Sequence, residues 1–190
     1  MIQKKEVDDM NKKIRWITET AVMLALLVTL QAVTKGFGQI VTGSCVNALL
    51  VAAVLIGGLG CGLTVALISP ILAFLLGIAP QAVTVPAIMA GNSVYVVLMF
   101  LLAREQGNGL VRRILALLVS AAAKATVLYG IVVGLICGVL APSLLSTGML
   151  KEPMLKVLPV TFSTPQLITA LIGGTVALLI VPTLRKALKR

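Results

Sequence analysis

The chain has 190 residues, of which 59% are hydrophobic and only 12% charged, with a mean hydropathy of +1.10 and a net charge of +10. Soluble domains carry about 25% charged residues, so this chain has too few polar groups to cover a water-facing surface, and its solvent must be mostly lipid. At about 20 apolar residues per crossing, the length admits six crossings with short connections and excludes a sizeable extramembrane enzyme domain.

The first fifteen residues are polar and mixed in charge, with Lys4, Lys5, Lys12, Lys13 and Arg15. No small-residue cleavage site ends the apolar run that follows. The pattern therefore predicts an amphipathic lead-in helix at the membrane surface rather than a cleavable leader, with Trp16 as interfacial anchor. Six spans are expected, at about 17–33, 40–56, 61–76, 85–103, 110–140 and 166–184. Gly57, Gly58 and Gly60 turn the second span into the third, and Pro70 lies inside the third. The fifth is long for a single crossing, which predicts tilt or protrusion. The connection from Ala141 to Pro165 holds four prolines and is expected to be a lid-like loop.

Basic residues fix the expected orientation. With the N-terminus inside, the cytoplasmic side receives both basic termini and Arg104, Arg112 and Arg113, whereas the outside receives only Lys35, Lys151 and Lys156. That asymmetry predicts an all-α polytopic protein with both termini cytoplasmic. It also accounts for the net charge as topological, so no nucleic-acid partner is expected.

The chemistry that is missing narrows function. There is no phosphate-cradling GxxxxGK[ST], and without histidine there is no HExxH. Cys45, Cys61 and Cys137 lie in apolar runs without CxxC spacing and read as small packing residues. No carboxylate pair falls within a span, which argues against a proton relay, an intramembrane protease or a metal-dependent enzyme. The expectation is a non-enzyme without a metal or cofactor.

The polar residues that do fall within spans lie between midplane and outer surface. Asn47, Asn92, Tyr95, Lys124, Tyr129 and Gln166 predict one outward-facing pocket. The alternative for the amides is that they only join neighbouring helices. Lys124 is the informative one, because a lysine at the bilayer centre costs about 2.5–3.5 kcal/mol. It must be neutral, hydrogen-bond carbonyls or asparagine, or await an anionic ligand. Small residues at four-residue spacing, Ala21/Ala25, Ala48/Ala52 and Ala121/Ala125, mark faces for close helix packing or for docking of another membrane protein.

The stretch Thr20–Ala25, with its AxxxA face, precedes the run Val41–Leu50, then Ser69-Pro70 and Gly91-Asn92-Ser93-Val94-Tyr95. With six spans in this length, the whole chain resembles the substrate-binding subunits (S components) of energy-coupling factor transporters. The resemblance implies capture of a vitamin or similar micronutrient at the outer face of the cell membrane. Uptake then requires a transmembrane coupling subunit and two ATPase subunits. It carries the docking role to Ala21 and Ala25. It places Gln39, Asn47, Gln81, Asn92, Tyr95, Lys124, Tyr129 and Gln166 where the family builds its pocket. Few aromatics disfavour a large planar substrate, and a pocket-facing Lys124 favours a small carboxylate such as pantothenate. The competing classes are a structural or regulatory membrane protein and an autonomous facilitator. The facilitator should show a polar stripe through both halves of several helices, and here the inner halves are almost purely apolar.

Overall fold

The computed structural model describes residues 2–78, 81–103 and 109–188, with side chains from Met10 onward. The acidic and basic residues expected at 2–9, Arg104, Glu105, Lys189 and Arg190 therefore lie outside the described side chains. The chain is all-helical, as a lipid solvent demands: a backbone without water must close its own hydrogen bonds. The elements are α1 (Ile2–Thr34), α2 (Gln39–Leu75), α3 (Val85–Ala103), α4 (Leu110–Tyr129), α5 (Ala141–Ser146), α6 (Glu152–Thr161) and α7 (Thr164–Ala187). The lead-in continues into the first span without a break. Among the described residues, five helices are long and apolar enough to cross a membrane, and the protein is membrane-embedded.

The second of these five, α2, is not one straight rod. At 37 residues a straight helix would reach about 55 Å, well beyond a hydrocarbon core of about 30 Å. Gly58 interrupts it with φ 81° and ψ −178°, a conformation essentially restricted to glycine. Two arms, 39–57 and 59–75, result, and they fold back on each other. A Cβ at Gly62 would lie 2.7 Å from the Cβ of Val54, although eight residues along a straight helix span about 12 Å. The outer ends of the arms also meet. Lys35, just before the first arm, donates to the carbonyl of Gly77, just after the second, at 2.5 Å.

The remaining helices pack around this hairpin, with α2 against α1, α3 and α7, and α4 against α3 and α7. The first arm and α7 run parallel. Gly43 sits beside Thr169, Ala48 beside Gly173, and the Arg185 guanidinium donates to the Leu55 carbonyl. Glycine permits this approach: a Cβ at Gly173 would lie 2.7 Å from the backbone nitrogen of Ala48 and from the Cβ of Asn47. The main core gathers Leu27, Leu50, Val54, Val65, Val96, Met99 and Leu117.

The apolar segment expected at 110–140 is longer than α4. It continues as a π-helical stretch, Gly130–Val139, whose i→i+5 bonding is seen in the Leu140 amide donating to the Leu135 carbonyl at 2.8 Å. Beyond it, the expected loop is instead two short helices. Pro142, Pro153 and Pro165 each fall in the first two positions of a helix, where a missing N–H costs nothing. Leu150, Leu158 and Phe162 of this segment pack on Ala87, Leu128, Val132 and Ile136 as a second core.

Candidate functional site

The end of the bundle beneath this helical cap contains a cavity of about 400 Å³. Its wall draws on almost every element. Gln31 comes from the end of α1, Lys35 from the 3-10 turn Lys35–Phe37 that follows it, and Gln39, Thr42 and Asn47 from the first arm of α2. Ser69, Pro70 and Ala73 come from the second arm, Asn92 from α3 and Lys124 from α4. Thr161, Phe162 and Gln166 close it from the cap and the start of α7.

Lys124 faces inward because of its register. Leu117, Ser120, Ala121, Lys124 and Leu128 form the buried stripe of α4, the i, i+3, i+4, i+7 pattern of a packed helix face. The side chain is 3% exposed. Its Nζ donates to Asn47 Oδ1 at 2.5 Å and Asn92 Oδ1 at 2.7 Å, and lies 5.3 Å from the centre of the Tyr95 ring. Among the described residues, no carboxylate forms an ion pair with it. Of the three fates open to Lys124, hydrogen bonding to asparagine is the one seen, and the same side chain also lines the cavity. Asn47 is itself held in place. Asn47 Nδ2 donates to the Gly43 carbonyl at 2.9 Å and to Thr169 Oγ1 at 3.3 Å.

The rim is tied by amides. Gln39 and Gln166 both donate to the carbonyl of Thr161, at 2.8 and 3.2 Å, which fastens the cap to α2 and α7. Thr42 Oγ1 donates to the Thr34 carbonyl at 2.8 Å and fixes the corner between α1 and α2. Among the described residues, Gln31 Oε1 is buried with no hydrogen-bond partner. An orphaned acceptor carries a desolvation cost of about 1–3 kcal/mol. The arrangement thus offers a buried lysine and an apolar wall. It can hold a small anion.

Five of the eight expected site residues, Gln39, Asn47, Asn92, Lys124 and Gln166, come together around this cavity. The other three do not line it. Tyr95 is buried one turn deeper, and its hydroxyl donates to the Ala170 carbonyl at 2.7 Å; it touches the site only through its ring. Tyr129 is 51% exposed, because five residues on from Lys124 the helix has turned it about 140° away. Gln81 precedes the 3-10 turn Ala82–Thr84, and its backbone carbonyl accepts from Thr84 Oγ1 at 2.8 Å. Gln31, Lys35, Thr161 and Phe162 are wall residues that sequence reasoning did not assign. Gln31 and Lys35 had a signal, as polar groups at the C-terminal end of an apolar run. Thr161 and Phe162 fall in the segment expected to be lid-like, which gave no signal for either side chain individually.

The small-residue faces divide. Ala52 and Ala121 are buried, Ala48 and Ala125 partly so, and Ala48 meets Gly173, so these faces are internal packing. Ala21 and Ala25 are exposed together with Thr18 and Thr29, whereas Thr20 and Leu27 on the other side of α1 are buried. The α1 face thus remains open on the outside of the bundle. Compared with protein-family models, curated proteins and solved structures, the chain matches none.

Proposed function

We propose that the chain is a substrate-binding subunit of the energy-coupling factor type. In this reading it takes a small anionic, vitamin-like solute, a carboxylate such as pantothenate, into the Lys124 cavity from the outer face of the cell membrane. Delivery to the inside then depends on a transmembrane coupling subunit, docked on the Ala21/Ala25 face, and two ATPase subunits. The observation that carries the reading is a buried lysine lining a cavity of about 400 Å³ with no carboxylate ion-paired to it among the described residues. Sites for small molecules run from about 300 to 1,000 Å³ and combine an apolar wall with a few placed polar groups. Counting the two arms of α2 separately gives six crossings, and the parallel run of the first arm and α7 supports that count. Both chain ends then lie on the more basic side, which the charge asymmetry makes cytoplasmic.

A structural role is the second reading, and the two asparagine bonds to Lys124 favour it, since they give the ammonium partners without any ligand. Mass spectrometry of small molecules released from protein purified without added ligand separates the two. A carboxylate released in near-stoichiometric amount, and absent from a Lys124→Met preparation, is the expected result. Release of nothing enriched over a control membrane protein, together with no co-purifying ATPase subunits, would leave the structural role.

A further inference from the structure

The opposite end of the bundle holds a second cavity of about 180 Å³. It lies where α3 ends at Ala103, α4 begins and α7 ends. Arg113, Arg185 and Lys186 line it beside apolar Leu55, Leu178 and Pro182. Topological positive charge alone would need these side chains only somewhere near the membrane surface. Here three cations from two helices converge on one notch. The Arg185 guanidinium donates through Nη2 to the Leu55 carbonyl, which orients it and leaves its other N–H groups free to turn to the notch. Neither Arg113 nor Lys186 has a hydrogen bond or ion pair among the described residues. Arg113 also stands in the first turn of α4, where the helix dipole is already positive, so its charge is compensated by nothing on its own element.

We propose that this notch binds the phosphate of an anionic phospholipid headgroup. Guanidinium groups engage phosphate oxygens through paired N–H donors, and basic recesses between membrane helices are suited to such headgroups. The phosphate is carried by a lipid rather than free in solution because of what surrounds the notch. Leu115 and Leu118 on α4 and Leu179 on α7 are exposed on the same two helices, an apolar flank that acyl chains would cover. This inference is independent of the transport reading, since the Lys124 cavity lies at the other end of α4 and α7.

Native mass spectrometry of the full chain in detergent, with added phosphatidylglycerol, phosphatidylcholine or inorganic phosphate, tests it. Phosphatidylglycerol should be retained in preference to phosphatidylcholine. A basic residue near a bilayer surface contributes about a fivefold preference for anionic lipid, so Arg113→Gln with Lys186→Gln should weaken phosphatidylglycerol binding about thirtyfold. Should that pair fail to fold, Lys186→Gln alone, at an exposed position, should weaken it about fivefold. Equal retention of the two lipids, or undiminished phosphatidylglycerol binding by the variants, overturns the proposal. Displacement of the lipid by inorganic phosphate at equal concentration overturns it too, by assigning the notch to soluble anions.

Discussion

The bonds between Lys124 and its two asparagines can be weighed against one another by a double-mutant cycle. Asn92→Leu removes one acceptor from a buried ammonium that has two, at 2.5 and 2.7 Å. A hydrogen bond to a charged group contributes about 1.5–3 kcal/mol, and that is the expected loss. Lys124→Met acts differently. Removing the charge recovers the desolvation cost of about 2.5–3.5 kcal/mol but orphans two buried amide oxygens at about 1–3 kcal/mol each. The two effects largely offset each other, so this variant should fall between about 1.5 kcal/mol more stable and about 3.5 kcal/mol less stable than the parent. In the double variant only Asn47 is orphaned, so the two losses must not add. The expected coupling is about 2.5–6 kcal/mol, the lost charge-assisted bond plus the Asn92 oxygen that is no longer orphaned, read from unfolding in mixed micelles for all four proteins. Asn47 is the poorer choice, because its amide also donates to Gly43 and Thr169 and its loss mixes several interactions. Additivity within about 0.5 kcal/mol would show that Lys124 and Asn92 do not interact in the folded protein. Pantothenate binding measured on Lys124→Met should fall by about one to two orders of magnitude if a charge-assisted bond of this size is lost, and unchanged affinity would remove the argument for a carboxylate.

Four further outcomes follow from other parts of the structure. Gly58→Ala, which forces a side chain into a glycine-only conformation, should destabilise the protein by about 1–3 kcal/mol in the same unfolding assay. Gly173→Ala places a methyl group against the Ala48 backbone, which cannot move aside easily, and should lower the unfolding midpoint by an amount equivalent to about 1–3 kcal/mol. Ala21→Trp should abolish cellular uptake while ligand binding by the isolated protein stays intact; equal loss of both would refute docking at this face. A cysteine at Asn108 should resist an impermeant thiol reagent in intact cells, and its labelling would reverse the proposed orientation.

Much of the bundle was legible because lipid leaves so few choices. A run of apolar residues must be a helix, and glycines between two such runs mark where it turns. The α2 hairpin is a case in point, since its length and Gly58 both speak against a single straight crossing. The cavity was legible in part for a related reason. Asn47, Asn92 and Lys124 are polar at similar depth, and polar groups in lipid seek one another. Depth without angle misled at Tyr129, where the helical wheel already points away from the Lys124 face. Tyr95 shares a face with Asn92, and only the tertiary arrangement shows that the Ala170 carbonyl captures its hydroxyl. Prolines as loop formers point to an irregular cap, but three of them stand at helix starts, where proline is favoured.

The parallel contact between the first arm of α2 and α7 also sets an order of events during synthesis. Gly43 and Asn47 emerge early, whereas Thr169 and Gly173 come more than a hundred residues later. At about 5–20 residues per second, the early half of the chain spends several seconds in the membrane before its partner exists. During that interval Asn47 has no Thr169 to accept from it, Gly43 and Ala48 lack their α7 contacts, and the carbonyl of Thr161 has yet to fasten the rim. The cavity is therefore completed only once α7 is in place, and a nascent chain stalled before α7 would carry an unfinished polar wall open to lipid.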